Sequence, residues 1–323
     1  MEDLRLFLRH RPWSAILPSM QTLSITATDH GRRLDSLLAN LLPTAPIGYI
    51  TQLIKKGSAL VNKSPATAGT LLWQGDSVTL KESDRLRELL AKGPSPIDIL
   101  YQDELLLVLN KAAGIAVHRT AEGEENNLIE SAASTLKALR GGELRLRPVN
   151  RLDRITSGAV LLAKSPSAAA TFGRLIRLGS IEKRYLTLVE GKVAQNEGII
   201  DLPLAGKESL TSFRLLGGSH HASLLFVSLH TGRTHQIRQH LSAIGHPIAG
   251  DRRYGASVAA ETFLHSFDTR FIHPVSLLPL TIVAPLPISF LHRASTVTGQ
   301  QQEELLLLLR ELLTTSSQQE IDR

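Results

Sequence analysis

One carboxylate set between two guanidinium groups and followed at once by a turn is the stretch of this sequence best equipped for chemistry. It reads Asn150-Arg151-Leu152-Asp153-Arg154-Ile155-Thr156-Ser157-Gly158. Arg151 and Arg154 both favour the ionised form of Asp153, which makes it a candidate nucleophile and not a proton donor. The apolar run Gly158-Ala-Val-Leu-Leu-Ala163 that follows predicts a buried strand, a rigid support for the Asp153 loop. On spacing alone, an ordinary loop ion pair ahead of a strand is the commoner arrangement.

Two further stretches have chemical potential. Thr231-Gly232-Arg233-Thr234-His235-Gln236-Ile237-Arg238-Gln239-His240-Leu241 opens on a glycine turn and then predicts a helix. Ile237, Leu241 and Ile244 share its apolar face and Arg238 lies on the opposite one. Residues 182–191 alternate like a half-buried strand and carry Tyr185, one of four tyrosines in the chain. Its ring could stack on a base and its hydroxyl could exchange a proton, although a strand tyrosine packed across a sheet is commoner.

Metal and cofactor chemistry finds little support. His230, His235, His240 and His246 lie close in sequence, but spacings of five place successive imidazoles on different sides of a helix, and no acidic ligand accompanies them. Cysteine is absent, so no disulfide or thiolate site exists. There is no glycine-rich phosphate loop with lysine, no Gly-x-Ser-x-Gly elbow and no dinucleotide fingerprint. The expectation is a protein with no cofactor and no metal.

The elements that must position these residues belong to a globular chain of 323 residues, 42% hydrophobic, long enough for two domains. No apolar run reaches membrane-spanning length and the opening ten residues lack a signal peptide's core, so a cytoplasmic protein without membrane contact is expected. The formal charge of +6 favours a polyanionic partner. Up to Lys92 there are twelve Lys or Arg against eight Asp or Glu, so most of the excess sits in the N-terminal part. That part begins after a leader, 1–21. Leu34, Leu37, Leu38 and Leu41 predict one helix face, and Tyr49 to Gly57 a second helix with Lys55 and Lys56 in its last turn. Short strands follow at 59–62 and 76–80.

Beyond a linker at 85–96 with Lys92-Gly93-Pro94-Ser95-Pro96, strands are predicted at 105–109 and 223–229 and helices at 128–139 and 168–178. Ser165 is the expected cap of the second of these helices and Gly179 its stop. Closing strands are expected near 263–273 and 280–285, then a leucine-rich helix at 303–313 and a loose tail. Monomer is the default, with the terminal leucines leaving a dimer open.

The loop 150–158 resembles the signature of the RluA-type pseudouridine synthases, His-Arg-Leu-Asp-x-x-Thr-Ser-Gly, with Asp153 on the family's catalytic aspartate. Asn150 stands where the family has His, and Ile155 where it often has a second acid. Lys183-Arg184-Tyr185 resembles its Lys-x-Tyr motif, and 232–238 its Gly-Arg-x-His-Gln-Ile-Arg segment, whose last Arg pairs with the catalytic Asp. Gly245-His246-Pro247-Ile-Ala-Gly250-Asp251-Arg-Arg-Tyr254-Gly255 also looks like the family's. Asn110-Lys111-Ala112-Ala113-Gly114 is similar to its Asn-Lys-Pro-x-Gly, with Ala112 replacing Pro. The N-terminal helix pair and strands resemble the alpha-L RNA-binding domain. In all, the resemblance covers about 22–287.

What the resemblance implies is an α+β fold: a mixed, largely antiparallel pseudouridine synthase catalytic domain at 97–300, a small alpha-L domain at 22–84, and a C-terminal helix and tail at 301–323. The implied activity is isomerisation of uridine to pseudouridine in structured RNA, ribosomal RNA first and tRNA second. Asp153, Tyr185 and Arg238 are the implied catalytic residues. Arg151, Arg154, Lys55, Lys56, Arg32, Arg33, Lys111, His118, Arg233 and His235 are the implied RNA contacts, with Arg151 taking the place of the flipped uridine in the stack. A non-catalytic RNA-binding protein on the same scaffold is the alternative. A nucleoside hydrolase would need a general acid beside Asp153, and the sequence supplies none.

Overall fold

The computed structural model describes residues 20–119, 127–142, 144–256 and 261–318. Most of the expected leader therefore lies outside the described residues, as does the end of the tail. The chain divides into two compact units, the first formed by 1–150 with 160–169 and the second by 151–159 with 170–323.

In the first unit, β1 (Met20–Ser24) precedes α1 (Leu34–Leu41) and α2 (Ile47–Lys55). Leu34, Leu37 and Leu38 of α1 and Ile50, Leu53 and Ile54 of α2 are buried, as their spacing requires. Each fully buried side chain of this kind stabilises the fold by about 1.5–3 kcal/mol. β2 (Ala59–Val61), β3 (Ser64–Pro65) and β4 (Ser77–Lys81) join β1 in an antiparallel sheet of order β1-β4-β2-β3. The segment expected as a linker opens with a helix, α3 (Asp84–Leu90), because Ser83 caps it by accepting from the Leu86 N–H at 3.2 Å.

The same unit continues with β5 (Ile99–Gln102), β6 (Leu106–Lys111), α4 (Leu128–Arg140) and β7 (Arg147–Pro148). The last four residues of β8 (Ser157–Ala163) lie here too, beside β6 and β7. Asn127 caps α4, and the α5 helix (Pro166–Arg177) is capped by Ser165 as anticipated. Asn150, the departure from the family's His, accepts the Leu161 N–H at 2.7 Å and so anchors the entry to β8.

Two cations expected to face RNA are instead part of this core. Arg32 is 2% exposed. Its guanidinium pairs with Asp29 at 2.7 Å and with both oxygens of Asp98 at 2.7 and 3.2 Å, and it donates to the Ile99 carbonyl. Ser36 and Asn40 donate to the same carbonyl, which ties α1 to β5. Lys111 is 1% exposed and its Nζ donates to the Ala112 and Ile115 carbonyls, closing the turn after β6. Arg33 pairs with Asp35 at 2.6 Å and covers the Tyr101 ring at 5.3 Å. Lys55 and Lys56 are exposed, and His118 is half-buried.

The second unit holds the first residues of β8, the rest of α5, then β9 (Glu182–Glu190), β10 (Glu197–Asp201), β11 (Leu210–Gly218), β12 (Ala222–Leu229) and α6 (Gln236–Ala243). β13 (Leu264–Ile272), β14 (Pro279–Val283), α7 (Ile288–Thr298) and α8 (Gln302–Gln318) complete it. Its strands run in the order β10-β11-β12-β9-β13, with β14 antiparallel and the start of β8 parallel to β13.

Three expectations change here. β9 is buried from Arg184 to Val189 and is not half-exposed, because β12 and β13 flank it. β13 is an inner strand, not a closing one: it bonds β9, β14 and β8 and is buried from Leu264 to Phe271. The terminal helix continues to Gln318, through part of the expected loose tail, and α7 precedes it unannounced by the sequence reading. Two arginines inside this layer are paired: Arg184 donates twice to Asp268 Oδ1, at 2.9 and 2.7 Å, and Arg270 donates to the Leu313 carbonyl.

Replacing Arg32 by Ala would leave the half-buried Asp98 and Asp29 without their cation. The expected loss is about 3 kcal/mol in urea-unfolding stability with RNA affinity of the folded fraction unchanged; a weakened affinity at unchanged stability would restore Arg32 to the RNA surface.

Candidate active site

Asp153 sits in the loop ahead of β8, on a support made by one close approach. Gly158 has φ +106°, and a Cβ there would lie 2.2 Å from the Ser266 carbonyl oxygen of β13. Only glycine permits this contact, so Gly158, the second residue of β8, is a steric requirement of the parallel β8–β13 pairing. Ser157 Oγ lies 2.8 Å from His265 Nδ1, and His265 Nε2 lies 3.0 Å from the Ala284 carbonyl. The carbonyl can only accept, so Nε2 carries the proton and Nδ1 accepts from Ser157. Burial drives the His265 pKa down to about 4, keeping the ring neutral.

The same row brings in Tyr185. It faces Ser266 across the β9–β13 ladder while Ser266 neighbours Gly158 on the other side. Tyr185 is 5% exposed and shares a side-chain hydrogen bond with Ser266. Burial, and then the charge of Asp153, push its phenol up to about 12, so the hydroxyl keeps its proton through the neutral range.

Arg238 arrives from α6. Its Nη1 donates to Asp153 Oδ2 at 3.0 Å, while its Nε and Nη2 donate to the two oxygens of Asp251 at 2.6 and 2.9 Å. Asp251 is 1% exposed, and Arg238 6%. The apolar-face expectation for α6 needs correction: Arg238 is buried with Ile237 and Leu241, and Ile244 is 37% exposed. The helix starts where it does because Gln236 is fully satisfied. Its Oε1 accepts from Thr231 Oγ1 and the Arg233 N–H, and its Nε2 donates to the Leu210 carbonyl and Thr211.

Asp153, Tyr185 and Arg238 are thus gathered around one loop. His235 joins them: its Nε2 lies 3.6 Å from Asp153 Oδ1 and its Nδ1 2.8 Å from the Tyr254 hydroxyl. It was anticipated as an RNA contact. Burial, helped by Arg238 and Arg253, lowers its pKa, and a neutral imidazole beside a carboxylate is a poor phosphate ligand. Arg151 and Arg154, expected to flank Asp153 electrostatically, are exposed, and the guanidinium that holds Asp153 comes from Arg238, 85 residues away. Arg233 is exposed, with its Nε donating to the Glu208 carbonyl. Asp251, Gln236 and Tyr254 went unassigned in the sequence, for no periodicity links them to Arg238 or Asp153.

The sequence family described as RNA pseudouridylate synthase matches residues 105–243. Ribosomal large subunit pseudouridine synthase C of Yersinia pestis is 35% identical over 308 residues, 85% of this chain and 95% of that protein. The synthase C of Escherichia coli K12 is 34% identical, covering 83% and 94%. Ribosomal large subunit pseudouridine synthase D of Xylella fastidiosa is 31% identical, covering 80% and 86%. Among solved structures, human RNA pseudouridylate synthase domain containing 4 has a TM-score of 0.52 at 24% identity, over 65% of this chain and 95% of that one. Its counterpart, domain containing 1, gives 0.51 at 25%, over 67% and 95%.

The buried neutral His265 makes the loop support acid-sensitive. An unfolded imidazole titrates near 6.5 and the folded one near 4, so this contribution is complete above pH 6.5, falls as the pH drops, and is gone by pH 4. At 1.36 kcal/mol per unit the loss is about 3 kcal/mol. Urea midpoints across that window should fall more steeply for the wild type than for His265→Gln; parallel slopes would refute the assignment.

Proposed function

This chain belongs to the RluA-type family of RNA pseudouridine synthases, isomerases that convert uridine in RNA to pseudouridine, and on that premise we propose that Asp153 is its catalytic carboxylate and large-subunit ribosomal RNA its substrate. The observation that carries the reading is the Asp153–Arg238 pair. Arg238 pairs with the carboxylate at 3.0 Å and fixes its orientation, while Tyr185 stays a neutral phenol beside it. The substrate follows from the relatives, whose names specify the large ribosomal subunit.

In this reading a uridine is flipped into the site and Arg151, exposed at the loop, fills its place in the stack. The Tyr185 ring packs against the uracil. Asp153 attacks the sugar or the base, the bond from ribose C1′ to N1 breaks, the base turns, C1′ joins C5, and the bond to Asp153 breaks to return the free carboxylate. The C5 proton leaves and N1 gains one, so the reaction is balanced without water, oxidant or reductant.

The N-terminal part, 22–84, serves as an alpha-L-like RNA-binding module through Lys55 and Lys56, which end α2 and are exposed. Among the described residues no helix is long and apolar enough to cross a membrane. We propose a cytoplasmic monomer acting on ribosomal RNA.

Tritium release from RNA labelled at uracil C5 tests the core of this. Wild-type protein should release label from large-subunit ribosomal RNA, and Asp153→Asn should lose about a thousandfold or more in rate with RNA binding intact. Retained activity in Asp153→Asn would refute the catalytic assignment, and release from tRNA alone would refute the substrate. For the module, Lys55→Ala with Lys56→Ala should weaken RNA binding and lower its salt dependence by roughly one unit per cation removed; an unchanged slope would leave both lysines as solvated surface.

A further inference from the structure

The two oxygens of Asp153 meet different surroundings. Oδ2 accepts from Arg238 at 3.0 Å. Oδ1 faces His235 Nε2 at 3.6 Å, beyond hydrogen-bonding distance. The imidazole is held from its far side, where Nδ1 lies 2.8 Å from the Tyr254 hydroxyl. Tyr254 is itself fixed: its ring lies 4.9 Å from the Arg238 guanidinium, and its carbonyl accepts from Ser242 Oγ at 2.7 Å. His235 also has φ 53°, a left-handed conformation that a residue with a side chain rarely adopts. Strain of this kind gathers where a side chain must be aimed.

We propose that His235 is a positioning residue for Asp153: neutral, it walls the carboxylate and leaves Oδ1 as the oxygen that reacts, and on gaining a proton it pairs with Oδ1 and withdraws it, closing the site at acid pH. The inference rests on Asp153 being the catalytic carboxylate.

Burial above all, with the two cations among the four charges that face it, holds His235 neutral near pH 7. Asp153 comes from the loop ahead of β8, Arg238 from α6, and Asp251 and Arg253 from the segment after that helix. Asp251 is engaged by two nitrogens of Arg238 and so offers an imidazolium little. Burial disfavours one most, and Arg238 and Arg253 repel it further. Asp153 is the counter-charge that stays open, so protonation, when it comes, forms an ion pair at Oδ1. Each protonation event thereby removes one nucleophilic oxygen, and no covalent step is involved.

His235→Asn is the apt probe, because Asn tolerates the left-handed backbone and carries a polar amide that does not titrate. Single-turnover tritium release would be followed from about pH 5 to about pH 9 with a large-subunit ribosomal RNA transcript. The wild type should lose rate on the acid side with a midpoint below the ordinary imidazole value of 6.5. His235→Asn should be slower by roughly tenfold to a hundredfold on the plateau, with KM within about twofold, and should lack that acid limb.

An acid limb that persists unchanged in the variant would overturn the proposal, as would a raised KM at unchanged kcat, the signature of an RNA contact. A second reading is independent of activity and of the variant's stability. The imidazole signals of the wild type can be titrated by NMR, with His235 assigned by its loss in His235→Asn or His235→Gln, and a midpoint above 6.5 would also overturn it. Asp153→Asn separates the two levels: activity in Asp153→Asn defeats the catalytic reading itself, whereas a dead Asp153→Asn beside a His235→Asn that matches the wild type at every pH defeats this inference alone.

Discussion

One guanidinium shared by two carboxylates organises the second unit. Asp251 takes the Nε and Nη2 side of Arg238 in a bidentate pair, which fixes the plane of the group and leaves Nη1 for Asp153. The two acids have unequal exposure: the Asp251 side chain is 1% exposed and that of Asp153 24%. The buried acid therefore acts as the anchor, and in the proposed reaction the open one is the reagent. An arginine held by Asp153 alone would be free to swing with it, and a lysine could not serve both acids with this geometry. The pair also explains how a buried α6 can carry a charge, for the Arg238 guanidinium is answered by Asp251 and Asp153.

Much of this arrangement is legible in the sequence, at the level of local pattern. The leucine spacing of α1, the glycine stops of α2 and α5, the Ser165 cap and the buried run of β8 all follow from rules that act over four or five residues. The Asp153 loop, Tyr185 and Arg238 are visible for another reason, because their motifs resemble those of a known family. What the pattern does not carry is lateral order. β13 reads as a terminal strand by its place in the chain, yet it is the one that brings Gly158 and Tyr185 side by side. Asp251 and Tyr254 reach the site through a turn after α6, and no helical or strand period encodes that return.

Charge shows the same limit more plainly. Arg32, Lys111, Lys55 and Lys56 look alike in the sequence, basic residues in a basic region. The fold separates them: Arg32 and Lys111 have their donors consumed by Asp29, Asp98 and backbone carbonyls, and the other two face solvent. Whether a cation serves the core or the surface depends on acids and carbonyls brought near by tertiary contact. Asp98 is 66 residues from Arg32, far outside any window in which sequence spacing is informative.

The distances along the chain between partners in the site bear on how the protein is made. Ser157 meets His265 across 108 residues, Arg238 meets Asp153 across 85, and Arg184 meets Asp268 across 84. Contacts of such range form late and slowly, since loop closure must precede any gain from them. On a translating ribosome the Asp153 loop emerges long before β13 exists to receive Gly158. A nascent chain therefore holds the signature loop without its support, and the site comes into being only once nearly the whole protein has been synthesised.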